Sequence, residues 1–276
     1  MACVQMTSGR NPADNLPLIE TRLRKAAAAG AQLIALPETC VFMERGQKAM
    51  QARLTAQKDN ADLKQLAALT AELGVYVLIG SMVLAAEDGD KAVNRSLLLT
   101  PDGRVAAHYD KVHMFDVTLE SGEHHSESAS YQAGDTLCMA DIGVAKLGLS
   151  ICYDVRFAGL YRRLAEAGAD IISVPSAFTR PTGAAHWHVL LRARAIETGC
   201  FIIAPAQIGA HENGRETYGH SLIIDPWGGI LAEAQDSDEI IYATLDMSLV
   251  GKARGQIPAL QHGRAYQLPD GDMAHD

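Results

Sequence analysis

The sequence predicts a layered α/β protein, and three observations carry that expectation. Strand-like and helix-like apolar patterns alternate along the chain, helical stretches close on glycine, and a hairpin turn signal stands at Pro101-Asp102-Gly103. A hairpin joins antiparallel neighbours, so a purely parallel doubly wound sheet fits less well than an α/β sandwich.

Residues 14–29 have helical apolar spacing and stop at Gly30, and 32–36 follow as a short buried strand leading to Pro37-Glu38. Residues 61–73 read as a helix closed by Gly74, and 75–81 as an apolar strand. Strands at 94–100 and 104–109 flank the hairpin turn. A strand at 144–151 precedes a helix at 156–167 closed by Gly168, then a strand at 170–174 and a helix at 184–198 stopped by Gly199. Strands at 201–207, 220–225 and 240–246 complete the pattern. The stretch 116–134, rich in Ser, Glu and His, is the least regular, and long loops of this kind are more often functional than accidental. No linker or low-complexity tract divides the chain. It reads as one domain over 1–276, with 250–276 as a C-terminal tail of weak apolar periodicity.

Composition narrows the function. Lys and Arg number 24 against 33 Asp and Glu, a formal charge of −9. An acidic chain gains nothing from counterion release, so nucleic acid is not an expected partner. No run of apolar residues is long enough for a membrane span, and the N-terminus lacks a signal-peptide pattern, so a cytoplasmic location is expected. Five widely spaced cysteines without a Cys-x-x-Cys argue for free thiols rather than a disulfide framework or a zinc ribbon.

Three residues stand where chemistry can be done. Cys152 lies at a strand-to-helix junction, where a helix N-terminus would favour a thiolate. Glu38 ends a strand too apolar for the surface, and a partly desolvated cleft would raise its pKa towards that of a general base. Lys111 ends the strand at 104–109, where an ammonium can stabilise an oxyanion. Each alone has a plainer reading: a buried core cysteine, a solvated loop carboxylate, a surface lysine. His113, His124 and His125 lack metal-ligand spacing, so no metal is expected. The Gly-x-Ser-x-Gly elbow, the dinucleotide fingerprint and the P-loop are all missing from the sequence.

Together the segments resemble the nitrilase superfamily of carbon–nitrogen hydrolases. The blocks are Leu36-Pro37-Glu38, then Tyr109-Asp110-Lys111-Val112-His113, then 148–157 around Cys152. Ala185-His186-Trp187 with 191–197 forms a fourth, and Tyr218-Gly219-His220-Ser221 with Asp225-Pro226-Trp227-Gly228 a fifth. They stand in family order over nearly the whole chain. The resemblance implies an αββα sandwich, paired in a homodimer as αββααββα through helices and the C-terminal tail, with no metal and no organic cofactor. It implies Glu38 as base, Lys111 as electrostatic stabiliser, Cys152 as nucleophile and Glu127 as a second glutamate that positions Lys111 or substrate. The backbone N–H of Tyr153 would share the oxyanion with Lys111.

Within the superfamily the later blocks resemble the Nit branch, which cleaves 2-oxo-acid amides. The run 190–198 and Ala206-Gln207 are similar to the deaminated-glutathione amidases, which release 2-oxoglutarate and cysteinylglycine. The alternatives are an ω-amidase acting on 2-oxoglutaramate or 2-oxosuccinamate, then an N-carbamoyl amino acid hydrolase or a nitrilase. A non-catalytic binding protein of the same fold is disfavoured by the intact Glu38, Lys111 and Cys152. Arg156, four residues past Cys152, would share a helix face with it and offer a fork to the oxo-acid carboxylate. Phe178 and Thr182 match the remaining positions of that pocket. One departure is His188, where relatives often carry Glu after His-Trp.

Overall fold

The computed structural model describes residues 1–44, 46–87, 91–118 and 124–265. Two six-stranded mixed sheets form its centre. The first runs, edge to edge, Glu239–Tyr242, Ala2–Gln5, Leu33–Ala35, Tyr76–Ala85, Ala92–Leu99 and Val105–Asp110. The second runs Ile230–Glu233, Leu222–Ile224, Phe201–Ala204, Ile171–Ser173, Lys146–Leu149 and Cys138–Asp141. In both, three central strands pair in parallel and the flanking strands antiparallel. The hairpin closes as expected, with Leu99 opposite Val105 and Gly103 at a left-handed φ of 78°.

The period of two along each strand sorts the layers. Ala2, Val4, Ile34, Leu36, Val77, Ile79, Leu97 and Leu99 share one core with the apolar stripes of two helices, Pro12–Ala28 and Ala61–Leu73. Their alternates Cys3, Leu33, Ala35, Leu78 and Leu98 belong to the other core, with Leu147, Leu149, Ile171 and Ile203 of the second sheet. Gly148 lies on the opposite side of its strand, where an added Cβ would stand 3.1 Å from Leu164. The helices Ala158–Glu166 and Arg180–Thr198 therefore cover the outer face of the second sheet, and the layers read α, β, β, α.

The helix at 61–73 matches its predicted bounds, capped by Asn60 and closed by left-handed Gly74. The predicted helix at 156–167 is divided instead. Cys152–Arg156 forms a tight 3-10 turn, and the α-helix starts at Ala158. The strand Cys138–Asp141 and the helix Ser248–Gln256, which crosses the expected tail boundary at 250, were not anticipated. Within 116–134, Asp116–Thr118 pairs with His124–Ser126 and Glu127 opens a short 3-10 turn. Residues 119–123 of that stretch and 266–276 of the expected tail lie outside the described residues.

Candidate active site

Glu38, Lys111 and Cys152 come from three strand ends and meet between the two sheets. The chain leaves Leu33–Ala35 through Pro37, and Glu38 precedes Thr39 at a φ of 50°. Gly80 makes that passage possible: a Cβ there would stand 1.9 Å from the Leu36 carbonyl oxygen and 2.5 Å from that of Pro37. Gln207, in the link between Phe201–Ala204 and Ile208–Ala210, donates to the Glu38 carbonyl at 2.9 Å. Lys111 follows its strand directly, held by its amide on the Asn94 carbonyl at 3.0 Å.

Cys152 has a φ of 48°, an uncommon conformation for a residue with a Cβ and of the kind that collects at functional sites. Its amide donates to the Pro175 carbonyl at 2.9 Å. Asp154 fixes the turn. Its fully buried carboxylate accepts from the Ile151 amide and the Tyr109 hydroxyl, both at 2.8 Å, and from the His113 amide at 3.1 Å. The Tyr-Asp-Lys-Val-His block and the cysteine block are thus cross-linked through one side chain.

The three groups are almost wholly buried, at 4% exposure for Glu38, 2% for Lys111 and 7% for Cys152. Glu38 accepts from Lys111 at 3.1 Å and Asn94 at 2.9 Å through one oxygen, and from the Ala177 amide at 2.8 Å through the other. Glu127 grips the same ammonium with both oxygens, at 2.9 and 2.8 Å, and is itself fixed by the Phe115 amide at 2.7 Å. Lys111 Nζ therefore spends its three protons on two carboxylates.

The charges answer one another. Burial pushes Glu38 up, but the Lys111 and Arg215 cations beside it, with hydrogen bonds from Cys152 and Lys111, outweigh burial and hold it below its ordinary value. This reverses the rise expected from desolvation alone. For Lys111, burial pulls down, and the Glu127 and Glu38 carboxylates prevail and raise it well above its ordinary value. Burial pushes the Cys152 thiol up, and the Glu38 charge pushes it further. The expectation of a thiolate favoured by a helix N-terminus fails, because a five-residue 3-10 turn supplies little dipole to set against those two effects. The resting site is a thiol beside an ionised carboxylate and an ammonium.

A cavity of about 240 Å³ opens onto this cluster. Tyr153, Phe178 and Thr182 line it, as does Glu127. Arg156 does not. In a 3-10 turn residues three apart eclipse, so the position four after Cys152 is turned off its face. The Arg156 guanidinium lies instead at the rim, 5.5 Å from the Phe178 ring centroid and 5.9 Å from that of Tyr153, beside His186.

Sequence reasoning missed Asn94, Tyr131 and Arg215, which also line the cavity. Arg215 donates through Nη2 to the Ala177 carbonyl, while its buried Nε has no hydrogen-bond partner among the described residues. Thr39 Oγ1 and Asn94 Oδ1 are buried and unpartnered in the same way. Orphaned polar atoms are rare in native interiors, and three from residues lining one cavity mark a place for a polar ligand. Arg215 lies on the turn between Ile208–Ala210 and Glu216–Tyr218, next to the Tyr-Gly-His-Ser block, and that adjacency was its only sequence signal.

The later blocks hold this arrangement. Arg194, 6% exposed, donates to the Val155 carbonyl at 2.8 Å and so ties the long helix to the cysteine turn. The Trp187 indole donates to the His220 carbonyl at 2.7 Å. Asp225 Oδ1 accepts from the amides of Trp227 at 2.7 Å and Gly229 at 2.9 Å, closing the turn of the Asp-Pro-Trp-Gly run.

Residues 1–255 match the carbon–nitrogen hydrolase family model. The deaminated glutathione amidase of Synechocystis sp. strain PCC 6803 is 42% identical over 265 residues, covering 95% of this chain and 96% of that protein. The Caenorhabditis elegans NitFhit structure superposes with a TM-score of 0.89 at 33% identity over 95% of this chain, which spans 64% of that longer protein. A variant amidase from Nesterenkonia sp. AN1, with the acetamide moiety of fluoroacetamide on its active-site cysteine, has a TM-score of 0.80 at 25% identity, covering 95% of this chain and 92% of that one. With this fold, these ordered blocks and these likenesses, the chain belongs to the carbon–nitrogen hydrolase family, enzymes that hydrolyse the carbon–nitrogen bond of linear amides.

Proposed function

We propose that the chain hydrolyses the amide of deaminated glutathione through a thioester on Cys152. The observation that carries the reaction is the buried array of Glu38, Lys111 and Glu127 facing the Cys152 thiol. The substrate rests on near full-length similarity to proteins of that name.

Glu38 removes the thiol proton as sulfur attacks the amide carbon, because a thiol with a raised pKa is a weak nucleophile without a base. The oxyanion that forms is met by Lys111 Nζ and the Tyr153 amide, in a cleft where the Lys111 charge is almost wholly buried. Glu127 holds the ammonium in place, and the proton gained by Glu38 loosens its hold on the Lys111 N–H that turns to the oxyanion. Protonated Glu38 then passes its proton to the leaving nitrogen, and cysteinylglycine departs. A water, deprotonated by Glu38, attacks the thioester, 2-oxoglutarate leaves and the thiol regains its proton. No step calls for a metal or an organic cofactor.

The two arginines divide the substrate between them. Deaminated glutathione has a 2-oxo-carboxylate on its acyl side and a glycine carboxylate on its leaving side. Arg215, with its unpartnered Nε, suits the first, and Arg156 at the rim suits the second. Phe178 and Thr182 form the wall between. An ω-amidase substrate releases ammonia and has no second carboxylate. The test is kcat/KM for deaminated glutathione and for 2-oxoglutaramate in Arg156→Met and Arg215→Met. Arg215→Met is expected to impair both substrates and Arg156→Met only the first. Faster turnover of 2-oxoglutaramate by the native chain, or equal losses in Arg156→Met, would reassign it as an ω-amidase.

Two further expectations belong to this reading. Five cysteines without a disulfide among them suit a reducing, cytoplasmic compartment. Exposed Val189 and Ile196 on the Arg180–Thr198 helix suit burial in a homodimer.

A further inference from the structure

The fold gathers a second cluster of ionisable groups that the amide chemistry does not use. His188 comes from the long helix Arg180–Thr198, His220 from the link between Glu216–Tyr218 and Leu222–Ile224, and Glu233 from the end of the edge strand Ile230–Glu233. Their spacing in sequence matches no metal motif, and only the tertiary structure brings them together. His188 Nε2 lies 2.9 Å from Glu233 Oε1, and His220 Nδ1 lies 3.0 Å from the same oxygen. One donor atom from each falls within 4.8 Å of the others, the only such His, Cys, Asp and Glu grouping among the described residues. None of the three lines the cavity over Cys152.

We propose that His188, His220 and Glu233 form a binding site for a divalent transition metal, with zinc as its natural occupant. Two imidazole nitrogens and a carboxylate oxygen are a donor set that suits zinc, whereas magnesium and calcium prefer oxygen alone. Zinc takes nitrogen at about 2.0–2.1 Å and carboxylate oxygen at about 2.0–2.2 Å, which puts tetrahedral ligands about 3.3 Å apart. The two nitrogen–oxygen pairs, at 2.9 and 3.0 Å, need to open by only a few tenths of an ångström. The side chains are 30%, 19% and 29% exposed, so solvent can fill the fourth position.

Protons balance without any new charge on the rings. In the metal-free site each imidazole turns an N–H towards Glu233. On binding, each ring carries its N–H on its other nitrogen and presents a lone pair to the ion. For His220 the other nitrogen, Nε2, lies 3.6 Å from Asp236 Oδ1, a carboxylate placed to receive the N–H. Ligating histidines are usually oriented by such a partner.

His220 is also held ready. Its φ of 53° is left-handed, a conformation uncommon for a residue with a Cβ. Trp187 pins its carbonyl at 2.7 Å, and the Tyr218 ring stacks on the imidazole with centroids 4.4 Å apart. A bare hydrogen-bonded bridge between helix and sheet would need only one histidine. Two converge on a single carboxylate oxygen, as ligands around an ion do.

The experiment titrates metal-stripped full-length protein with Zn²⁺ by calorimetry and with Co²⁺ by visible absorption. One equivalent per chain is expected, with the ligand-field bands of a nitrogen–oxygen site. His188→Gln and Glu233→Gln, each shown folded by circular dichroism, should lose that equivalent, and Asp236→Asn should weaken it by about tenfold. Cys152→Ser should retain it, and chelation should leave kcat for the amide unchanged. No binding by the native chain would overturn the proposal. So would binding that survives in the His188 and Glu233 variants, or a thiolate charge-transfer band that Cys152→Ser removes.

Discussion

Two clusters in this molecule use a similar vocabulary at opposite ends of the solvent scale. In the cleft, Lys111 sits between Glu38 and Glu127 with side-chain exposures of 3%, 5% and 14%. On the surface, Glu233 sits between His188 and His220 with exposures of 29%, 30% and 19%. Burial changes what the same kind of contact is worth. In the cleft, every charge removed from water must find its partner inside, so the groups fix one another's protonation and position. At the surface, water can replace any partner at small cost, and the cluster is free to turn its lone pairs towards an ion.

The largest effect that separates the two regions is on chemistry. Cys152→Ser should fold normally and lower amide turnover by several orders of magnitude, because a hydroxyl is a far poorer nucleophile than a thiol beside the same base. Near-native steady-state rates in this variant would remove Cys152 from the mechanism.

The next effect contrasts single deletions. Lys111→Met should lower kcat by about 10²–10³ through loss of oxyanion stabilisation. The sequence alone suggests that the variant folds, because the aliphatic stem is kept. The structure adds a cost to stability of about 3–5 kcal/mol, because the variant leaves two buried carboxylates without their cation. Glu233→Gln in metal-free protein should cost only about 0–1 kcal/mol. Urea unfolding of the two variants side by side measures the difference, and equal losses would mean that burial does not distinguish the clusters.

The smallest effect is on pH dependence. Glu38 is held below its ordinary 4.5, so its contribution to stability is complete above that value and is lost as pH falls through the lowered one. Lys111 is raised above its ordinary 10.5, so its contribution is complete below that value and is lost as pH rises through the raised one. Between these limits the cleft cluster should add a constant stability. The measurement is the difference in unfolding free energy between the native chain and Lys111→Met, which should stay level across neutral pH. A slope there would mean that one of the pair titrates within the working range.

The sequence by itself determined the layers and singled out Glu38, Lys111 and Cys152 as the candidate set. Apolar runs of period two and stripes at helical spacing specify which face each element buries, and that is local information. The ordered blocks around Glu38, Lys111 and Cys152 stood out because each ends a strand, and strand ends are where an α/β sandwich opens to ligands. Glu127 was legible only through the family pattern, since nothing in 116–134 shows that its carboxylate closes on Lys111.

Tertiary structure decided the rest. Asp154 reads as an ordinary acidic residue after the cysteine, yet buried hydrogen bonds to Tyr109 and His113 make it the brace of the nucleophile turn. Arg156 leaves its expected place because a 3-10 turn rotates it away, while a hairpin far along the chain delivers Arg215 to the cavity. The sign of the Glu38 shift depends on two cations, Lys111 and Arg215, distant in sequence. His188, His220 and Glu233 carry no motif between them. Distances across strands, the depth of burial and the balance of charges at one point in space are set by how the layers pack, and a linear pattern does not encode them one residue at a time.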